Sequence, residues 1–227
     1  MSSPNDMVLP SIPMWIGEKV LHEGAEATVT SGSWLGKPAV LKMRRPRGYR
    51  TPQLDRKLTR KRLSVEARVL GRLQKNYFSA PSLFDLDLEC GWILMSRIEG
   101  KTLYECLNEE SMGLKEIKLF GEEIRKLHES GISHGDLTTH NVLIDLNGKP
   151  CLIDFGLARI LPELEHLGLD LQVLNECLNA SHSEYHNAVD MMVDGYISAD
   201  SNTQDTISAE EVISRFNEIR GRVRYYT

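Results

Sequence analysis

Residues 134–156 read HGDLTTHNVLIDLNGKPCLIDFG and place acid-bearing loops at both ends of one short hairpin. Asp136 stands five positions before Asn141, the apolar runs NVLI and CLID follow around an Asn147-Gly148 turn, and Asp154-Phe155-Gly156 closes the stretch. Two such runs flanking Asn-Gly pair as antiparallel strands, which returns the loop after the second to the loop before the first. Asn141 and Asp154 are thereby expected to be neighbours, with Asp136 close by. Carboxylate and amide oxygens without cysteine or a histidine-rich cluster suit Mg2+, which keeps several waters and shares its shell with substrate phosphates. The chemistry suggested is phosphoryl transfer. Taken singly, each of these residues is ordinary turn material. The joint order is far more specific: His, Asp and Leu, an Asn five after the Asp, then a separate Asp-Phe-Gly, all at protein-kinase spacing.

The remaining elements must position that stretch. Residues 1–14 hold three prolines and no periodic pattern and are expected to be a flexible or strand-like lead-in. KVLHEG, EATVTSG and PAVLKMR then predict a small antiparallel sheet, joined at Gly24-Ala25 and by a Gly32 to Lys37 turn. The turn Gly24-Ala25-Glu26-Ala27 would offer backbone N–H groups to phosphates, with one glycine where a kinase loop has three. Lys42 shares a strand face with Val40 and Arg44, so one face of the sheet holds a cation. Thr51-Pro52 predicts a helix start, with Thr as cap and Pro in the first turn. On that helix Leu63, Glu66, Leu70 and Leu73 fall on one apolar stripe. An ionised Glu66 there needs a cation, because an unpaired buried charge costs several kcal/mol, and Lys42 is the natural candidate. SLFDLDL and WILMSRI complete five strands, and Arg97 to Lys101 connects to a helical part. Its first long helix carries Leu114, Ile117, Phe120, Ile124 and Leu127 and is expected to stop at Gly131. Beyond Gly156 an amphipathic helix is expected roughly over Leu167 to Leu178, opened by Asp170. Ser208 with Glu211 predicts a capping box before VISRFNEIR.

A chain of 227 residues is long enough for one domain or a closely packed two-lobed unit. No run approaches the apolar length of a membrane span and the N-terminus lacks signal-peptide regions, so a cytoplasmic or nuclear protein without a membrane is expected. Cys90, Cys106, Cys151 and Cys177 show no paired spacing, and neither a zinc site nor a disulfide framework is indicated. The net charge of −5 conceals an asymmetry: between Lys42 and Arg72 twelve Lys or Arg face only Asp55 and Glu66. Such a block is either a solvated helix face or a patch for nucleic acid or an acidic partner. The closing RGRVRYYT sets basic residues beside aromatics, which can stack on bases or simply be solvated.

With Lys42, Glu66, HGDLTTHN and DFG together, the chain resembles a protein kinase in miniature, and more narrowly the PRPK-type small kinase of the KEOPS complex. The resemblance rests on GAEA at 24–27, Tyr49-Arg50, Pro52, Leu54-Asp55, Leu58-Thr59, Arg62, Glu66-Ala67-Arg68, HGDLTT, DFGLA, Asp170-Leu171, Val173-Leu174 and the closing Arg-Gly-Arg-Val-Arg. It spans roughly residues 20–226, and its most specific parts are HGDLTT and the YRxPxLDxxLT block.

That resemblance implies an α+β, minimal two-lobed kinase fold: lead-in 1–14, N-lobe 15–96 with five strands and the basic helix, reduced C-lobe 97–219, and basic tail 220–227. Thirteen residues between Gly156 and Asp170 are too few for a long activation loop. It further implies ATP and Mg2+ as cofactors. Lys42 would position phosphates, Glu66 orient Lys42, Asp136 orient or deprotonate the acceptor, Asn141 and Asp154 hold Mg2+, and Asp170 brace the catalytic loop. The nucleotide would be bounded by Gly24, Ala25, Glu26, Ala27, Val29, Val40, Met95, Ser96 and Ile98. The implied setting is threonylcarbamoylation of the adenosine beside the anticodon in tRNA. Partners would be the threonylcarbamoyltransferase subunit, a further small KEOPS subunit on the N-lobe, and tRNA met indirectly or through Arg56, Arg60, Lys61, Arg62, Arg220, Arg222 and Arg224. The chain departs from the family at His140, usually Ser, at Leu167, usually Lys, and in its Tyr-Tyr-Thr end. A small-molecule phosphotransferase of aminoglycoside or choline kinase type, and a scaffold pseudokinase, are the competing readings.

Overall fold

The computed structural model describes residues 12–24, 26–109, 113–203 and 206–223. The chain divides into two compact units, residues 1–64 with 83–97, and residues 65–82 with 98–227. One division falls after Arg97, and residues 65–82 group with the second unit.

In the first unit a five-stranded antiparallel sheet comprises β1 (Trp15–Glu23), β2 (Ala27–Trp34), β3 (Lys37–Arg44), β4 (Leu83–Asp87) and β5 (Trp92–Ser96), in the order β1-β2-β3-β5-β4. The register sets Val29 and Ile93 on either side of Lys42, and Met95 beside Val40. Strand alternation turns Ala39, Leu41 and Met43 into a core with Trp92 and Leu94. Ile12 is buried in the same cluster, so the end of the expected lead-in is part of this core. Helix α1 (Pro52–Lys75) starts where the Thr51-Pro52 pair predicts, with Leu54 N–H donating to Thr51 Oγ1 at 3.4 Å. Its first half belongs to this unit. The expected stripe holds: Leu63, Glu66, Leu70 and Leu73 are all at most 1 % exposed.

The second unit contains β6 (Gly100–Thr102), α2 (Leu103–Asn108), α3 (Leu114–Glu129), β7 (Ile132–Ser133), β8 (Val142–Asp145), β9 (Pro150–Leu152), β10 (Arg159–Ile160), α4 (Leu164–Ser181), α5 (Ala188–Ser198) and α6 (Ala209–Val223). Thr102 and Glu105 form a capping box at α2, and Ser208 and Glu211 cap each other ahead of α6 as the sequence predicts. Ile117, Phe120, Ile124 and Leu127 of α3 are fully buried, as are Met192 and Tyr196 of α5 and Phe216 of α6. Helices α3 and α5 meet at a glycine pair: a Cβ on Gly121 would fall 2.2 Å from Met192 O, and one on Gly195 2.0 Å from Lys118 O. Helix α3 ends at Glu129, and Gly131 just beyond its cap Ser130 has φ +70°, a conformation glycine adopts freely.

Two expectations are corrected here. Asp170 does not open its helix, because α4 begins at Leu164 and puts Asp170 in its second turn. The earlier start is set by Glu163, whose N–H donates to His166 Nδ1 at 3.2 Å after Pro162. The C-terminal helix also runs on to Val223, so Arg220 and Arg222 stand in its last turn rather than in a tail. Among the described residues no helix is long and apolar enough to cross a membrane, and the four cysteines are free.

Candidate active site

The hairpin logic of residues 134–156 holds in detail. Val142 pairs with Leu152 and Ile144 with Pro150, so Asn141 stands across from Ile153, whose N–H donates to Asn141 O at 3.0 Å. Asp154 follows at once, in a left-handed conformation (φ +62°) that is rare outside glycine and marks functional loops. The turn is wider than two residues. Asp145 Oδ1 accepts from the N–H groups of Asn147 and Lys149, each at 2.8 Å, and these bonds hold its carboxyl below the usual carboxylate range despite a small opposing effect of burial.

Before the hairpin, a 3-10 turn at Thr139–Asn141 aims Asn141 back along the loop. Its amide nitrogen donates both to Asp136 O at 2.8 Å and to Asp136 Oδ2 at 3.0 Å. The planar amide therefore presents its oxygen on the opposite side, as an oxygen donor for a hard cation. Among the described residues no three His, Cys, Asp or Glu gather into a metal cluster. Asn141 and Asp154 would supply two protein oxygens, a donor set that fits Mg2+ completed by water and phosphate.

The catalytic loop is fastened from behind. Asp170 accepts the N–H of His134 at 2.5 Å and of Gly135 at 2.8 Å. Gly135 has φ +79°, and a Cβ there would lie 2.2 Å from Leu157 O, so no other residue fits between Asp170 and Leu157. His134 is fully buried, donates from Nε2 to Ile153 O at 3.0 Å and packs on Phe155. One imidazole thus ties the loop bearing Asp136 to the loop bearing Asp154.

Several supporting residues have no local sequence signal. His128 Nε2 approaches Asp170 Oδ2 at 3.2 Å while its Nδ1 accepts from Tyr196 Oη at 2.8 Å. Arg125, 1 % exposed, donates to Ile207 O and Asp200 and reaches the same tyrosine oxygen. Burial pushes the Tyr196 hydroxyl well above the ordinary phenol range, against the opposing effect of Arg125, so it stays a proton donor. Thr139 Oγ1 lies 3.1 Å from His182 Nε2, and Tyr104 stacks on His140 at 3.9 Å between ring centres with His182 against its edge. His140, unexplained by spacing, is therefore one half of an aromatic stack that ends immediately before Asn141.

In the first unit Lys42 is 6 % exposed on β3, Met95 is buried, and Val29, Val40 and Ser96 are half-buried. Gly24 N–H donates to Ala27 O at 3.0 Å where the chain turns from β1 into β2. Glu26 in that turn is bound by Arg44, Arg47 and Arg62. Ile98, in the second unit, is half-buried. Arg56, Arg60 and Lys61 are exposed on α1, with Arg60 paired to Glu89, whereas Arg62 is drawn into the Glu26 cluster. Ala25 and Arg224 lie outside the described residues.

Comparison with known proteins agrees with this geometry. The family model described as protein kinase domain matches residues 27–222. A KEOPS complex subunit Bud32 of Pyrococcus abyssi is 34 % identical over 215 residues, 91 % of this chain and 96 % of that protein. An EKC/KEOPS complex subunit of Schizosaccharomyces pombe is 33 % identical, over 92 % of this chain and 89 % of that protein. A probable bifunctional tRNA threonylcarbamoyladenosine biosynthesis protein of Methanobrevibacter smithii is 36 % identical over 92 % of this chain, which spans only 37 % of that longer protein. Among solved structures, the Rio2 kinase of Chaetomium thermophilum in complex with ADP/Mg2+ and phosphoaspartate superposes with a TM-score of 0.53 at 17 % identity, covering 92 % of this chain and 72 % of that one, a likeness of fold alone. The chain belongs to the protein kinase family and, within it, to the Bud32 family of small kinases.

Proposed function

We propose that this chain is an Mg-ATP-dependent phosphotransferase, acting as a Ser/Thr kinase, an ATPase or both, within a KEOPS assembly that supports threonylcarbamoylation of tRNA. The most direct support is the Asn141 amide held between the carbonyl and the carboxylate of Asp136. It fixes a base or acceptor-orienting carboxylate beside an oxygen donor, as in-line phosphoryl transfer needs. Bound ATP with Mg2+ supplies the phosphoryl group and the cation that neutralises it. Asp136 orients the attacking hydroxyl or water and takes its proton, Asn141 and Asp154 hold the cation, and Asp170 keeps the loop rigid through the two N–H groups it accepts. Lys42 positions phosphates.

The relatives' names support the setting, through Bud32 and its EKC/KEOPS counterparts. In it, the chain would meet a threonylcarbamoyltransferase subunit and a further small subunit, in the cytoplasm or nucleus. The brief 157–169 segment, occupied by β10 and the first turns of α4, supports control by partners rather than by loop phosphorylation. The test is ATP turnover in purified chain alone and with partner subunits. Lys42→Ala and Asp136→Ala should each abolish it with an unchanged melting profile, and persistent turnover in both would leave only a scaffold.

A further inference from the structure

Five arginines, Arg44, Arg45, Arg47, Arg50 and Arg62, line a shallow open depression in the first unit, with Glu26 and Asp55 as its carboxylates. Glu26 meets Arg47 at 2.9 Å, Arg44 at 3.4 Å and Arg62, and Asp55 meets Arg50 at 3.6 Å. Arg45 also pairs with Glu23, so five guanidiniums meet three carboxylates and leave an excess of two positive charges in a concave site. Arg47 Nε is buried and has no hydrogen-bond partner among the described residues. Guanidinium forks match phosphate oxygens in pairs, and a phosphate offers this cluster more acceptors than a carboxylate does. Burial opposes ionisation of Glu26, but Arg62, Arg44 and Arg47 outweigh it and hold the carboxyl below its usual range, so it is an anion at neutral pH.

Beside the depression Tyr49 is 73 % exposed, with the guanidiniums of Arg47 and Arg50 at 5.7 and 5.2 Å from its ring centre. An exposed aromatic flanked by cations is a platform for an unpaired base. The exposed Arg56, Lys57, Arg60 and Lys61 continue the positive charge along α1, further than one phosphorylated side chain would require.

We propose that this depression binds a backbone phosphate of single-stranded RNA, with the adjoining base on Tyr49, and that Glu26 is the built-in anion which the phosphate displaces. The proposal rests on the tRNA setting above only for the class of ligand, and it names the face that meets it. Because Glu26 belongs to the 24–27 turn, RNA binding and the position of that turn are linked.

Fluorescence anisotropy on the full chain tests it, with a labelled single-stranded RNA of about ten nucleotides, inside the range one such site covers. Tyr49→Ala and Arg47→Ala should weaken binding about tenfold, and loss of the Arg47 contact should flatten the salt dependence by about 0.7 in slope. ATP turnover of Tyr49→Ala should match wild type. Glu26→Gln should tighten binding several-fold, while Glu89→Gln, which frees Arg60 elsewhere on α1, should change it little. Equal gains from both glutamines, or wild-type binding by Tyr49→Ala and Arg47→Ala, would overturn the site. A phosphoserine peptide that binds in an Arg47-dependent way where the RNA does not would overturn the ligand class. Loss of ATP turnover in Asp136→Ala reports on the kinase assignment alone, whatever the RNA result.

Discussion

Asp170 accepts the backbone N–H groups of both His134 and Gly135, so one carboxylate on α4 fixes the loop that carries Asp136. Asp170 is 2 % exposed, and the His134 N–H it accepts is buried with it. In Asp170→Asn only one oxygen remains, and the amide NH2 meets a second donor. The expected cost is about 1–3 kcal/mol, the desolvation of one unsatisfied buried donor, read as a lower denaturation midpoint. ATP turnover should fall as well. A variant with wild-type stability and turnover would mean that the loop holds its shape unaided.

Asn141 carries two tasks that substitution can separate. Asn141→Ala frees Asp136 and removes one cation oxygen, and a misplacement of this kind at a reacting group costs on the order of a hundredfold in rate. The Mg2+ concentration for half-maximal turnover should rise in the same variant, while thermal stability stays close to wild type because Asn141 is only half-buried. Asn141→Asp should be worse, since it sets a second carboxylate at the position now 3.0 Å from Asp136 Oδ2. An unchanged Mg2+ requirement in Asn141→Ala would remove this residue from the cation's shell.

Much of this site is legible in the order of residues along the chain. The Asn-Gly hairpin forces Asn141 and Asp154 together because strand pairing is local, and a period-3.5 count is enough to put Glu66 on a buried stripe. The support behind the loop is not legible. His128 and Tyr196 are 68 positions apart, and Arg125 and Asp200 75 apart, and no periodicity encodes a contact at such separations. The helix holding Asp170 was expected three residues late because Glu163 caps through its backbone to His166, a bond that Ser, Thr, Asp or Asn patterns do not announce. Glu26 was expected over a nucleotide. Its three arginines come from β3, the loop after it and α1, and only the folded sheet shows that they converge.

Arg125 and Asp200 form a buried pair at 2.7 Å, with side-chain exposures of 1 % and 9 %. Asp200→Ala leaves Arg125 with Glu129 at 3.1 Å as its remaining carboxylate, so the cost should fall below the roughly 3–5 kcal/mol of leaving a buried charge wholly unpaired. Burial raises the Asp200 carboxyl, but the N–H groups of Ala209 and Asn202 together with Arg125 prevail and hold it below the usual range. A depressed folded value gives stability that is present above the unfolded carboxylate range near pH 4 and is lost as pH falls through the folded value. Wild type should therefore lose an acid-labile part of its stability that Asp200→Ala lacks, measured by urea unfolding between neutral pH and about pH 3.

The stack of Tyr104 on His140 predicts a packing rather than an acid–base role for this unusual histidine. An aromatic pair adds about 0.5–1.5 kcal/mol beyond its buried area, so His140→Ala should lower stability by that order and His140→Phe should restore it. Turnover should follow stability in both variants, because the stack ends at the residue before Asn141. Loss of activity in His140→Phe with full stability would instead assign the imidazole to the chemistry.

His182 lies behind the same stack, 1 % exposed, with Nε2 on Thr139 Oγ1 and its ring against the edge of Tyr104. Burial depresses its basicity, Glu184 opposes that, and the neighbouring His140 reinforces it, so the imidazole is less basic than usual. The unfolded chain then takes up the proton first as pH falls through about 6.5, and this contribution to stability is complete above that value and is lost below it, toward the folded value. Between pH 7.5 and 5.5 the wild-type melting temperature should therefore decline. His182→Gln keeps a hydrogen-bonding group near Thr139 without the titration, so it should start lower at pH 7.5 and decline less. Because Thr139 begins the 3-10 turn that ends at Asn141, wild-type turnover should fall over the same window. Parallel melting curves for the two proteins across that window would show that His182 does not gate the turn.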